Sequence, residues 1–459
     1  MKVFDSLSVA ALGRAYRAGT LDPVVVTEAL LALIDRRNPE LHAFITVSHA
    51  RARADAEASR ERIRAGRPLG ALDGIPIAIK DNVDVAGLAC TAGSAALRHR
   101  IPAHDAPVAA RLRAAGSVLL GKLNMHEGAL GATTDNEAFG RCINPLHAGH
   151  TPGGSSGGSG AAVAAGLCSA AVGSDTMGSI RIPAAYCGVF GYKPGNDTVP
   201  AAGIVPLCHT LDVAGPLATT ATDCAAMAAV MMGLDDPAGA VESAPGVDWK
   251  RLVIGVPGQL DQVTLEPAVA EGFRHFLDAL KQRGARVVPI DLAHWDPTRA
   301  RRAGLLASEA DALDWWRAEI GHDLPGVSTT FGGMLRYAER AGHDKLDAAR
   351  QVLHDLRSHA TSAFNGVDLI ALPTAPQASF GHDTPAPINQ ADLTALANFY
   401  ACGAWAIPIV ASHRVVSVQL MAAPGRDRWL LSFAPALDSL APRSHDFAHA
   451  LDLGNLAGR

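Results

Sequence analysis

Residues 151–160 read TPGGSSGGSG and residues 161–173 read AAVAAGLCSAAVG, so a glycine-serine stretch runs directly into an alanine-rich apolar segment. Four glycines around the adjacent serines Ser155 and Ser156 free the backbone for unusual dihedrals, and the small residues that follow suit a helix packed close to its neighbours. An apolar helix directly after the glycines argues against a solvated Gly/Ser connector. A phosphate loop fails on detail, because GxxxxGK[ST] is absent, no lysine follows the glycines and GxGxxG is not matched there. What remains is a loop that holds serine hydroxyls at a site rich in backbone groups.

Residues 173–195, GSDTMGSIRIPAAYCGVFGYKPG, place a second isolated serine, Ser179, beside a glycine. A serine nucleophile needs a base and a cluster of aimed N–H donors, which glycine neighbours allow to converge. Ser179 does not stand in a GxSxG motif, and the histidines near these loops, His147 and His150, precede the first one. A lysine serves as base if burial makes it neutral by bringing its pKa from about 10.4 towards 7 or 8. Lys80 is the candidate: it ends the apolar run GIPIAIK, so its stem leaves a buried strand. A lysine at a strand end, taken alone, is more often a surface residue.

The rest of the chain sets the frame. Residues 1–45 read as a helical hairpin, with Ser8 and Asp22 as caps, Pro23 at a first helical position and Asn38-Pro39 as the stop. Residues 50–65 make a polar, Arg-rich surface helix, completing an N-terminal helical segment over 1–65. From Gly74 short apolar runs (75–79, 118–120, 170–172) alternate with helix-like stretches such as 106–115. A strand at 252–256, a helix at 267–283 and a strand at 286–290 form a βαβ-like unit, and strands return at 367–372 and 415–421. The expectation is an α/β fold with a large mixed, mostly parallel twisted sheet covered on both faces by helices, in a single domain over 1–459. Within it, 235–365 is a variable substrate-side region.

Charge and cysteine content narrow the function. Lys plus Arg number 40 against 45 Asp plus Glu, a net charge of -5 that lacks the basic excess of a nucleic-acid binder. No run of about 18 apolar residues marks a membrane span. The opening MKVFDSLSVAAL carries Asp5 and Ser6 where a signal peptide would begin its apolar core, which points to the cytoplasm. The seven scattered cysteines, with no CxxC, are expected to be free buried thiols. Cys142, His147 and His150 have metal-ligand side chains at no standard zinc spacing and read as loop residues. Cys187 reads as a small buried residue. Trp315 and Trp316 line a substrate entrance, or, as adjacent helix residues, one of them lies in the core.

Taken together, GIPIAIKDN (74–82), PGGSSGGSGAAVAAG (152–166) and GSDTMGSIRIPAAYCGVFGYKP (173–194) resemble the amidase signature family of serine hydrolases. The resemblance extends to residues 106–127 and 211–223, more faintly to 367–433, and is weakest over 235–365. It implies Ser179 as nucleophile, Ser155 as a bridging serine next to a cis peptide bond, and Lys80 as base. It further implies an oxyanion hole of the backbone N–H groups of Thr176, Met177, Gly178 and Ser179, with no metal or organic cofactor. Asp175 and Arg181 either hold the oxyanion loop or form a purely structural ion pair, and Ser156 is grouped with them. The family usually has Gly-Gly-Ser where this chain has Met177-Gly178-Ser179. Either the loop has ordinary dihedrals at Met177 or strain is tolerated there, and the side chain is expected to narrow the acyl pocket. The stretch 406–420 is shorter than the usual family connection.

The implied activity is hydrolysis of acyl-nitrogen bonds in small amides, aryl amides and carbamates, which present the same carbonyl to Ser179; urethanase activity is thus included. Within the family the alternative is the glutamine-hydrolysing component of a tRNA amidotransferase, which needs an ammonia-accepting partner. A non-catalytic binding protein on the same fold is the alternative from another class. Similar enzymes are commonly homodimers.

Overall fold

The computed structural model describes residues 7–234 and 247–441. The opening residues with Asp5 and Ser6, and the first part of the 235–365 region, lie outside the described residues. The hairpin at the start forms as expected: Ser8 accepts from Ala11 N–H ahead of α1 (Val9–Arg17), and Asp22 accepts from Val24 N–H ahead of α2 (Pro23–Leu41). One expectation fails here. Helix α2 runs past Asn38-Pro39 to Leu41, because a proline this near the C-terminus removes only one intrahelical bond. Asn38 meanwhile anchors the exit by bonding both the N–H and the carbonyl of Phe44. The Arg-rich α3 (His49–Arg64) follows, burying only Ala52, Ala56 and Ser59.

Among the described residues eleven strands form one sheet. They are β1 (Phe44–Val47), β2 (Pro76–Lys80), β3 (Val118–Leu123), β4 (Ala170–Asp175), β5 (Phe190–Lys193), β6 (Val213–Ala218), β7 (Val253–Pro257), β8 (Arg286–Ile290), β9 (Leu369–Pro373), β10 (Ala404–Ala411) and β11 (Arg414–Ala422). Their order is β1-β3-β2-β4-β6-β5-β10-β11-β9-β7-β8. The α/β class and the mixed sheet agree with expectation, but parallel pairing is the minority. Six neighbouring pairs are antiparallel and four are parallel. One of these pairs is local, since β10 and β11 close through the two-residue turn Ser412-His413, both at positive φ, which only an antiparallel pair can use; the other antiparallel pairs follow from which strands become neighbours in the sheet. Along the chain α4 (Pro107–Ala114), α5 (Gly157–Ala164), α6 (Arg181–Cys187) and α7 (Ala221–Met232) accompany the first six strands. The expected βαβ unit is present, with α8 (Pro267–Gln282) joining parallel β7 and β8.

Every residue of β2, β3, β4, β5 and β6 is buried, so the middle of the sheet is covered on both faces. This explains the continuous apolar or small-residue texture of these strands. Parallel β2 and β4 bring Lys80 and Asp175 to the same carboxyl end of the sheet, where open α/β sheets place their ligands. Helix α9 (Pro297–Ile320) brings Gly304 against Met177 and Phe399 beside that end. Among the described residues no helix is long and apolar enough to cross a membrane.

Candidate active site

The glycine-serine stretch becomes a turn followed by α5, and the Gly154–Ser155 peptide bond is cis. Lys80 Nζ lies 2.7 Å from Ser155 Oγ and 2.8 Å from Ser174 Oγ. All three side chains are buried. Ser174 also receives Asn82 Nδ2 at 3.0 Å. Burial pushes the Lys80 ammonium down to about 7, against the pull of Asp175 and Asp212. A neutral amine has one lone pair, so Lys80 can accept from the Ser155 hydroxyl while donating to Ser174.

Ser156 ties the two serine loops together. Its backbone N–H donates to the carbonyl of Ser179 at 3.2 Å, its hydroxyl donates to the carbonyl of Ser174 at 3.1 Å, and Ser174 N–H donates back at 3.2 Å. Ser179 itself is only half-buried, and among the described residues its hydroxyl has no hydrogen-bond partner, so the structure joins Lys80 to Ser155 but does not bring Ser155 into contact with Ser179.

The loop carrying Ser179 is built on Asp175. Its carboxylate accepts Gly178 N–H at 2.7 Å and Ile180 N–H at 3.1 Å. Arg181 donates to both carboxylate oxygens, at 3.0 and 2.9 Å. Burial alone would raise Asp175, but the Arg181 charge and these bonds bring it down to about 2. Arg181 is held in turn by the Thr394 carbonyl, Gln419 Oε1 and Asn398 Oδ1, and Asn398 donates back to Asp175.

Of the four backbone donors expected at the oxyanion position, Gly178 is engaged with Asp175, because a charged carboxylate is the stronger acceptor. Among the described residues no acceptor meets the N–H of Thr176, Met177 or Ser179. Gly178 takes φ +135, while Met177 is not among the positive-φ residues. Methionine therefore sits at 177 without left-handed backbone strain. Its side chain reaches α9 and packs at the edge of the cluster that holds Phe399.

Thr176 Oγ1 donates to Asp212, whose carboxyl burial pushes up to about 6. Asp212 and Phe399 line a cavity of about 920 Å³ that also meets Arg357, His354 and Ala307. Trp315 lines a smaller cavity with Asp212 and His209, whereas Trp316 is fully buried against Phe331. Cys187 donates to the Pro152 carbonyl, and burial pushes its thiol well above the ordinary range. All seven cysteines are free and buried. His150 bonds the Ser379 carbonyl, and its ring lies 5.3 Å from that of His147.

Ser174, Thr394, Gln419, Asp212 and His126 are contacts that the sequence did not single out. Ser174 and Asn82 lie inside quoted motifs, but nothing local distinguishes a serine that meets a lysine 94 positions away. His126 donates its backbone N–H to the Ser155 carbonyl at 3.0 Å, a purely tertiary contact.

The family model described as Amidase matches residues 25–431. The chain is 37% identical over 411 residues to a glutamyl-tRNA(Gln) amidotransferase subunit of Roseiflexus sp. (strain RS-1), covering 83% of this chain and 84% of that one. Among solved structures it is similar to a chain of an inhibitor-bound s-triazine catabolic enzyme complex, with TM-score 0.86, 29% identity and coverage of 95% and 99%. It is also similar to the native peptide amidase of Stenotrophomonas maltophilia, with TM-score 0.76, 28% identity and coverage of 94% and 96%.

Proposed function

The chain belongs to the amidase family, and from that premise we propose that it is a serine hydrolase of acyl-nitrogen bonds in small amides, aryl amides and carbamates, with Ser179 as nucleophile. The observation that carries this reading is the 2.7 Å contact between buried Lys80 Nζ and Ser155 Oγ. Neutral Lys80 takes the proton of Ser155, Ser155 takes that of Ser179, and the Ser179 oxygen attacks the carbonyl. The N–H groups of Thr176, Met177 and Ser179 receive the developing oxyanion, each essential donor of this kind contributing about 3 to 4 kcal/mol in comparable sites. As the C–N bond breaks, Ser155 returns the proton to the leaving amine. Water then enters by the same relay and releases the acid, or carbon dioxide and alcohol from a carbamate, restoring Ser179; an aryl carbamate, whose phenol is a better leaving group than its amine, instead loses the phenol first and leaves a carbamoyl group on Ser179.

A second reading is favoured by the named relatives: glutamine hydrolysis as one component of an amidotransferase, in which ammonia passes to a partner. One experiment separates the two. Purified chain alone is given a primary amide, an anilide, an aryl carbamate, an ester and glutamine. Turnover of the anilide or carbamate without a partner, lost in Ser179→Ala, supports the hydrolase. Turnover of glutamine alone, and only with an added partner, supports the amidotransferase. Full retention of hydrolysis by Ser179→Ala contradicts both, and sedimentation of the same preparation tests for the expected homodimer.

A further inference from the structure

His126 touches the site from an element that the proposed relay does not use. Besides its backbone bond to Ser155, its ring Nδ1 accepts the backbone N–H of Thr134 at 3.1 Å and lies 3.3 Å from the Thr133 hydroxyl. Thr134 brackets the Gly154–Ser155 bond: its hydroxyl accepts Gly157 N–H at 3.1 Å and donates to the Gly153 carbonyl at 2.8 Å. Residues 131–133 lie against Gly154, where a Cβ would meet Thr133 N at 2.7 Å. The imidazole thus props the loop that lies on the cis peptide.

The same bond fixes the tautomer. A backbone N–H can only donate, so Nδ1 carries the lone pair. Burial holds the ring neutral by pushing its pKa down to about 4. The one ring proton is therefore on Nε2. Gly131 lies over that end of the ring, where a Cβ would come within 2.2 Å of Nε2. Among the described residues no acceptor meets Nε2–H. His126 is only partly buried, so Nε2–H is left open to an incoming acceptor.

We propose that His126 is a specificity residue: Nδ1 fixes the 131–134 loop on Gly154–Ser155, and Nε2–H donates to an acceptor oxygen of the substrate on the leaving-group side, where Ser155 stands. The substrate class is an amide or carbamate whose leaving amine carries an ether, carbonyl or carboxylate oxygen. The proposal rests on the hydrolase reading above.

Asparagine and glutamine separate the two ring atoms, since Asn places an amide oxygen near Nδ1 and Gln places an amide N–H near Nε2. The test compares an N-(2-methoxyethyl) amide with its N-butyl isostere on the full chain. Wild type prefers the ether by about three- to tenfold in kcat/KM, the range of one neutral hydrogen bond. In His126→Asn the ratio of kcat/KM for the two substrates falls to about one, while the melting temperature stays at the wild-type value. His126→Gln keeps the preference. Calorimetric binding of the same pair to Ser179→Ala reads the preference without turnover. No preference in that binding, or an unchanged preference in His126→Asn, overturns the proposal. A preference in binding with no hydrolysis by wild type supports the role of His126 and overturns the hydrolase reading alone.

Discussion

Lys80 Nζ stands 2.7 Å from Ser155 Oγ, with both side chains closed off from solvent. An ammonium there would be without a carboxylate in contact, and burial lowers its pKa to about 7. The working form is neutral Lys80, so activity is lost on the acid side. We expect kcat/KM to fall about tenfold per pH unit below 7 and to level off above it, as a single proton requires. Linkage adds a stability effect of definite sign. Unfolded lysine keeps its proton up to about 10.4, so between 7 and that value the unfolded chain binds more protons and stability rises with pH. Lys80→Met should lose both the activity and this rise, as read from a pH-rate profile and from denaturation midpoints at pH 7 and 9.

The Asp175–Arg181 pair predicts a folding defect. Both side chains are fully buried, and Arg181 reaches Thr394, Gln419 and Asn398 beyond its partner. Asp175→Ala leaves that guanidinium without its charge partner, a loss of about 3 to 5 kcal/mol in chemical denaturation. The double variant Asp175→Asn with Arg181→Met should cost less than Asp175→Ala alone. A near-neutral Asp175→Ala would show that the pair does not hold the loop.

Met177 and Gly304 predict a coupled pair. A Cβ on Gly304 would lie 2.6 Å from Met177 Sδ and 2.7 Å from Phe399 Cζ. Gly304→Ala should therefore destabilise the chain by about 1 to 3 kcal/mol through overpacking. Met177→Gly should relieve this in the double variant, a non-additivity visible in a thermodynamic cycle. Met177→Gly alone should shift turnover towards bulkier acyl groups. An unchanged acyl-chain profile would remove Met177 from the pocket wall.

Thiol chemistry predicts no effect. With every cysteine buried and Cys187 pushed far from its thiolate, iodoacetamide should leave the activity of the native chain intact. Inactivation that tracks labelling of Cys187 would contradict this.

Legibility followed the range of the interactions. The run 75–79 announces a strand because its β-branched residues lie between glycine and a polar exit, and the three short motifs carry Lys80, Ser155 and Ser179 on their face. Strands at 190–193 and 213–218 have no alternation to read, because FGYK and VAGPLA are buried at every position. The balance of parallel to antiparallel pairing was equally hidden, since it depends on which strands become neighbours rather than on their composition. At the site, Met177 could be noticed but its dihedral could not, and the Gly178 donor could not be known to bind Asp175. His126, Asn398 and Gln419 meet the site across 29 to more than 200 positions, a distance over which no spacing argument operates.

The most direct test of Ser179 as the nucleophile is to trap the covalent intermediate. Wild-type chain is mixed with a slowly deacylating aryl carbamate, quenched, digested and read by mass spectrometry. The expected result is one carbamoyl group per chain, on the peptide bearing Ser179, with a burst of phenol of matching size and neither in Ser179→Ala. A carbamoyl group on another residue, or a burst that survives Ser179→Ala, would contradict it.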